Sequence, residues 1–176
     1  LRPKVPRGVR GNVLCTLIDV LQGDAELAKI FPAPAAWSVT RGEDLTFERI
    51  KEVAESNKPH LSLLPQPSSQ DWYGTDSVRG HLVIQIYYWL PGYGEGKYDA
   101  VEAMDVWEII ENALYPPDSY AKQQEIRRVL REAGARTGLV ELSQPARREQ
   151  TGEAGLVSYG EMRIEIQRRL TPRNGE

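Results

Sequence analysis

The stretch that decides the fold is His81-Leu-Val-Ile-Gln-Ile-Tyr-Tyr-Trp-Leu90, in which two differently composed faces alternate. A period of two over ten residues predicts a strand, and neither of its faces has the composition of ordinary solvent surface. A second alternating run, Met162-Arg-Ile-Glu-Ile-Gln-Arg-Arg-Leu170, predicts a strand with one apolar and one polar face. Between them, residues 99–114 repeat apolar side chains at helical spacing. The chain therefore predicts an α+β fold, with a small, mostly antiparallel sheet packed by helices on one face.

Weaker patterns on either side extend this plan. Further helices are predicted from Val13 to Gly23, over residues 46–56, and from a cap at Asp118 to a stop at Gly134. Short strands are predicted at residues 37–40, 61–64 and 139–142. Prolines on both sides of residues 61–64 favour the edge or end of the sheet for that strand. We expect an extended arm at residues 1–10, a long loop at residues 65–77, and a single domain over residues 11–176.

Bulk composition narrows the classes of protein. The 176 residues are 40% hydrophobic, which suits one globular domain, and a net charge of −3 gives no overall attraction to nucleic acid or anionic membrane. Cys15 is the only cysteine, so no internal disulfide is possible and a structural zinc site would lack its usual thiolates. No run approaches the roughly 20 apolar residues of a membrane span. We expect a protein made in a cytoplasm, without a metal or a cofactor.

Charge is distributed unevenly along the chain. Residues 95–111 carry six acids and one base, whereas residues 122–149 carry seven bases and four acids. The predicted arm adds four bases and no acid: Arg2, Lys4, Arg7 and Arg10. Such asymmetry favours head-to-tail contact between copies of one chain. The alternative is a set of solvated helix faces with counterbalancing neighbours.

Aromatic residues supply the other candidate contacts. Trp72 and Tyr73 lie in the predicted loop, and exposed aromatics there would favour a partner, since aromatics dominate interface hot spots. Tyr87 and Trp89 lie on the mixed face of the strand at residues 81–90, where another subunit could pack. In both places the alternative is coverage by the chain itself, with Trp72 folded back on its own core or a second internal helix over the strand.

Catalytic and ligand-binding patterns are weak. The loop Gly92-Tyr-Gly-Glu-Gly-Lys97 lies between a strand and a helix, as phosphate loops do, but it has Tyr98 where a Walker loop needs Ser or Thr. Glu95 would also place a negative charge beside the phosphates. His60 and His81 lack metal-ligand spacing, and each is expected at a strand end. We therefore expect no enzymatic activity.

The order of elements resembles a known family. A helix is followed by a Pro-x-Leu-x-Leu-Leu strand at residues 59–64, a long strand at residues 82–90, the helix at residues 99–114 and the strand at residues 162–170. Together they resemble the small tail-terminator and tail-completion proteins of long-tailed bacteriophages. The arm, the long loop and the extra helix at residues 118–133 depart from that family and leave open which neck component this is.

The resemblance implies a non-catalytic structural protein of the virion, assembled in the host cytoplasm. Its partners would be further copies of itself in a ring, commonly a hexamer, with a head-completion protein or connector on one side and the tail tube on the other. Contact with passing DNA would be non-specific, and no membrane is implied. Two alternatives remain: a small phosphate-ligand-binding domain or enzyme that uses residues 92–97, and a host-encoded adaptor of unrelated origin.

Overall fold

A computed structural model describes residues 8–39, 52–53, 55–66, 70–72, 77–92, 99–143, 146–148 and 157–169. Its helices are α1 (Val9–Gln22), α2 (Ala25–Ile30), α3 (Asp99–Leu114) and α4 (Tyr120–Ala133). Its strands are β1 (Trp37–Val39), β2 (His60–Gln66), β3 (Gln70–Trp72), β4 (Ser77–Trp89), β5 (Ala135–Leu142), β6 (Ala146–Arg148) and β7 (Val157–Arg169).

The two long strands β4 and β7 form the centre of one sheet. Its order is β1-β2-β4-β7-β5, and every pair is antiparallel except β1 with β2. β3 extends the pairing of β4 beyond β2, and β6 extends that of β7 beyond β5. This arrangement confirms the predicted α+β fold and its mostly antiparallel sheet.

One face of the sheet packs against the helices. Alternate residues of β4 and β7 point to this face and are almost fully buried: Leu82, Ile84, Ile86, Tyr88, Met162, Ile164 and Ile166. The hydroxyl of Tyr88 donates to the carbonyl oxygen of Ala103 in α3 (2.7 Å), and the Tyr88 ring lies against that of Trp107, with centroids 6.4 Å apart. The predicted apolar side of α3 is therefore the side that covers the sheet.

Helix boundaries follow the caps that the sequence supplies. α1 ends at Gly23, and α2 begins at Asp24, whose carboxylate accepts hydrogen bonds from the backbone N–H groups of Glu26 (3.0 Å) and Leu27 (2.9 Å). α4 ends at Gly134, where a φ of 125° is one that glycine adopts without strain. These ends agree with the predicted stops at Gly23 and Gly134.

Three boundary predictions were wrong. α1 begins at Val9, so Arg10 lies in its first turn and not in an extended arm. Val9 contacts the glycine that ends α4, and this packing favours starting the helix earlier than its apolar repeat suggests. The cap of α4 is Ser119, not Asp118, because the Ser119 hydroxyl accepts the backbone N–H of Lys122 (3.3 Å). His81 lies inside β4, whereas His60 does begin β2 as expected.

The predicted loop at residues 65–77 is also partly strand. Pro65 and Gln66 belong to β2, β3 pairs with β4, and Ser77 begins β4. Gln66 faces Val83 and Gln70 faces Gly80, so the register along β4 shifts by one residue between β2 and β3.

The predicted edge position of β2 holds only at its end. β1 pairs with Leu61 to Leu63, which makes that part of β2 an interior strand. Pro65 lies past this pairing, opposite Ile84 of β4. A proline has no N–H for a second neighbour, so its place beyond β1 is the one that the ring permits.

Candidate interaction surfaces

The outer face of α3 combines exposed apolar side chains with acids. Val101 and Met104 are 55% and 51% exposed and lie one turn apart, beside the exposed Glu102, Asp105 and Glu108. Helix α3 carries five acids and no base. The apolar repeat buries the opposite side of α3, and no described element of the chain covers these two residues. We call Val101, Met104 and the three acids the acidic face of α3.

A cleft of about 440 Å³ lies where all four helices meet. Its apolar lining includes Val20 of α1, Ala113 of α3 and Ile126 of α4. Its charged lining comprises Asp19, Asp24, Lys122 and Glu125. Three carboxylates against one ammonium group make this space, the acidic cleft, net negative. Sequence patterns could not find it, because its residues come from three separate stretches of the chain: 19–25, 113–116 and 122–126.

An ion-pair network lies beside the cleft on α4. The Arg128 guanidinium binds both carboxylate oxygens of Glu125 (2.6 and 2.9 Å) and also contacts Glu132. The hydrogen bond from Arg128 holds the pKa of the Glu125 carboxyl below its usual value, and both acids raise the pKa of Arg128. Because these side chains are exposed, water screens the pairs and their contribution to stability is small.

The second face of the sheet is apolar at one end. Tyr87 stacks on Tyr159, with centroids 5.5 Å apart, and its hydroxyl donates to Oε1 of Gln85 (3.0 Å). Tyr87 and Trp89 are only 6% and 5% exposed within the chain. The alternative left open by the sequence therefore applies to both: the chain itself covers them, and they offer little surface to a partner.

The other end of this face is charged. Arg136 of β5 pairs with Glu165 of β7 (3.0 Å), and Nη2 of Arg163 lies 3.4 Å from Nδ1 of His81. Pairing between strands thus places opposite charges and polar groups side by side. Such mutual pairing leaves this end better suited to water than to an apolar partner.

Polar side chains also connect β1 and β2. The hydroxyl of Ser38 lies 3.0 Å from Nε2 of His60 and 2.7 Å from the hydroxyl of Ser62. A hydroxyl beside an imidazole is the pair that nucleophilic catalysis uses. Here the three side chains stand on neighbouring strands in register, and their bonds satisfy the buried Ser62. A cross-strand structural link accounts for the cluster.

Several predicted contacts have only part of their structure described. Arg2, Lys4, Arg7 and Tyr73 lie outside the described residues, and Trp72 is described only as backbone in β3. Arg10 is half-buried on α1. Of the loop at residues 92–97, Gly92 alone is described, with a φ of 86° that glycine permits in a turn.

Comparison with protein families and with curated proteins finds no match for this chain. Over the residues that the structure describes, no three His, Cys, Asp or Glu side chains are grouped so as to hold a metal ion. No helix in that part of the chain has the length and apolar character needed to cross a membrane. The acidic face of α3 and the acidic cleft thus remain as the surfaces best suited to a partner.

Proposed function

We propose that this protein is a structural subunit of a bacteriophage neck or tail end. Copies of it form a ring, hexameric by the resemblance, that terminates the tail tube and joins it to the head connector. The protein belongs to the virion and acts through binding geometry, without catalysis.

The observation that carries the proposal is the acidic face of α3. Two adjacent apolar side chains, each more than half exposed, lie among charges of a single sign. Isolated exposed apolar residues are common, but a paired patch ringed by like charges favours a partner that is apolar and basic. Residues 122–149 of the same chain carry the excess of bases that such a contact needs.

The architecture gives further support. A ring subunit of the family that the chain resembles would carry helices on one side of a central sheet, and the described helices do pack on one face of this sheet. At one outer edge the backbone of Val140 in β5 is unavailable to a further strand, because the Tyr115 hydroxyl donates to its carbonyl oxygen and accepts its N–H, both at 2.7 Å. Assembly through helix faces is thereby favoured over strand addition at β5.

The oligomeric state of the full chain tests the proposal. Native mass spectrometry and negative-stain images should show closed rings, alone or on addition of purified tail tubes. A chain that stays monomeric at high concentration, and does not bind tail tubes, would contradict it. A thermal shift with ATP, GTP or NAD would instead favour the phosphate-ligand alternative, because a ligand at 100 times its dissociation constant stabilises by about 2.7 kcal/mol.

A further inference from the structure

The acidic cleft has the composition of a site for a basic, partly apolar segment. Its apolar lining residues Val20, Ala113 and Ile126 are buried or half-buried, and we call them its floor; Asp19 and Glu125 are exposed, and we call them its rim. A volume of about 440 Å³ lies within the range of small binding sites, roughly 300–1,000 Å³. A segment that places aliphatic groups on the floor and cations at the rim would fit both parts.

The negative charge of the cleft is only partly compensated by its own surroundings. Glu125 is bound to Arg128 and Asp24 caps α2, but Asp19 is exposed and forms no ion pair within the described part of the chain. Neither α1 nor α3, whose C-terminal ends border the cleft, has a basic residue in its last turn. Helix C-termini carry partial negative charge and favour a cation, whereas the first turns of α2 and α4, which also line the cleft, and Lys122 oppose it, so the cation preference rests on the three carboxylates.

The chain itself contains a segment of the complementary kind. The run Arg2-Pro3-Lys4-Val5-Pro6-Arg7 interleaves three cations with three apolar residues and has no acid. Its two prolines restrict the backbone before binding, which lowers the entropy lost when the segment docks. The three apolar residues match the floor of the cleft, and the three cations match its rim.

The arm is joined to the end of α1 that is remote from the cleft. α1 starts where Val9 contacts Gly134 at the end of α4, and it finishes at the cleft, beside the first turns of α4. Val9 to Gly23 spans about 21 Å of helix, and a fully extended chain from Gly8 to Arg2 spans about 20 Å. Folding back would bring at most the first residues of the arm to the cleft. The arm of an adjacent copy can cross it with all three cations.

We infer that residues 2–7 of one copy dock in the acidic cleft of the next copy. The start of α1, to which the arm is joined, and the cleft lie at opposite ends of α1, so the contact would join two different patches and repeat head to tail. This inference rests on the proposed ring and names one contact that holds it together. Raised salt should weaken the contact, since the charges at the rim are exposed to solvent.

A charge exchange between two full-length variants tests the inference. The arm variant carries R2E, K4E and R7E, and the cleft variant carries D19K and E125K. The matched control carries E132K and E141K: Glu132 contacts the same Arg128 as Glu125 does, but it does not line the cleft. Native mass spectrometry then measures the assembly of each variant alone and of the arm and cleft variants mixed in equal amounts.

We expect the arm variant and the cleft variant each to associate at least tenfold more weakly than the natural chain. The control should associate like the natural chain. The mixture of arm and cleft variants should assemble again, with the two variants alternating. Recovery in the mixture would also show that both variants fold. If both variants assemble like the natural chain, the arm does not occupy the cleft, while the ring proposal stands. If each is weakened and mixing does not restore assembly, docking between copies is overturned. The natural protein could instead form open filaments and no ring. If the single variants then fail to form filaments and their mixture forms them again, the ring proposal fails and the arm contact holds.

Discussion

At the scale of single residues, the Tyr115 hydroxyl makes two hydrogen bonds to one backbone residue, Val140. It satisfies both the N–H and the carbonyl oxygen of Val140 on the outer side of edge strand β5. Tyr115→Phe leaves these two groups without their partner, and we expect the free energy of unfolding to fall by about 1–3 kcal/mol. Urea denaturation measures the change. Tyr120→Phe is the control, since Tyr120 is 74% exposed; equal losses in the two variants would contradict the role of Tyr115.

The same residue predicts a dependence of stability on pH. Burial raises the pKa of Tyr115 above its ordinary value of 10.0, and the hydrogen bond with Val140 only partly opposes this. Between the ordinary pKa of this tyrosine in the unfolded chain and its raised pKa in the folded chain, the unfolded chain has lost the hydroxyl proton and the folded chain retains it. The stabilisation is thus complete below about pH 10 and is lost as pH rises through the folded pKa. Stability curves from pH 8 to 11 should fall less steeply for Tyr115→Phe than for Tyr120→Phe.

Position 160 must be glycine because the Trp107 ring packs directly against its backbone. A Cβ atom built there would lie 2.7 Å from Cζ2 of Trp107 and closer still to two neighbouring ring atoms. Since Trp107 is buried, Gly160→Ala forces it to move, and we expect a loss of about 1–3 kcal/mol in thermal or urea unfolding. Phenylalanine lacks the outer ring of tryptophan. The double variant with Trp107→Phe should therefore lose less than the sum of the single changes; strict additivity would show that no clash occurs.

At the scale of elements, two neighbouring residues are candidates for the N-cap of α4. Asp118 is the residue that the sequence favours, but Ser119 provides the hydrogen bond to Lys122. Ser119→Ala should lower the free energy of unfolding by about 1 kcal/mol, as typical for an N-cap. Asp118→Ala, the matched control, should change it by less than about 0.5 kcal/mol. Helical circular dichroism during urea unfolding distinguishes the two, and a larger effect at Asp118 would reverse the assignment.

Elements with a strong period were predictable, and their ends were not. The apolar repeat of α3 and the alternation of β4 and β7 depend on residues close in sequence, so each was found without knowledge of its neighbours. β4 nevertheless begins at Ser77 and β7 at Val157, before their alternation becomes clear. There β3 and β6 supply partners through pairing between distant residues, and β6 itself has no pattern of its own. Such tertiary pairing overrides local preference.

At the scale of the whole molecule, the uneven distribution of charge was predictable from the sequence. The acidic face of α3 and the acidic cleft, where charged and apolar residues come together, were not. The excess of acids around α3 is visible in the sequence, but the exposure of Val101 and Met104 depends on which side of the helix meets the sheet. Tyr87 and Trp89 illustrate the reverse case: their aromatic character suggested a partner, and the fold buries them. An open surface is a property of the assembled elements, so sequence composition alone cannot locate it.

The acidic face of α3 supplies the last prediction, on assembly. Met104→Asp removes an exposed apolar side chain and adds a like charge to the face, while the buried side of α3 is unchanged. If a partner buries the exposed half of this side chain, the change removes about 0.8–1.5 kcal/mol of apolar contact, or about 4- to 13-fold in the dissociation constant. Analytical ultracentrifugation should show weaker association with an unaltered melting temperature. Val39→Asp, at an exposed apolar residue of β1 outside residues 122–149, is the control, and equal weakening by both variants would mean that the face of α3 has no special role.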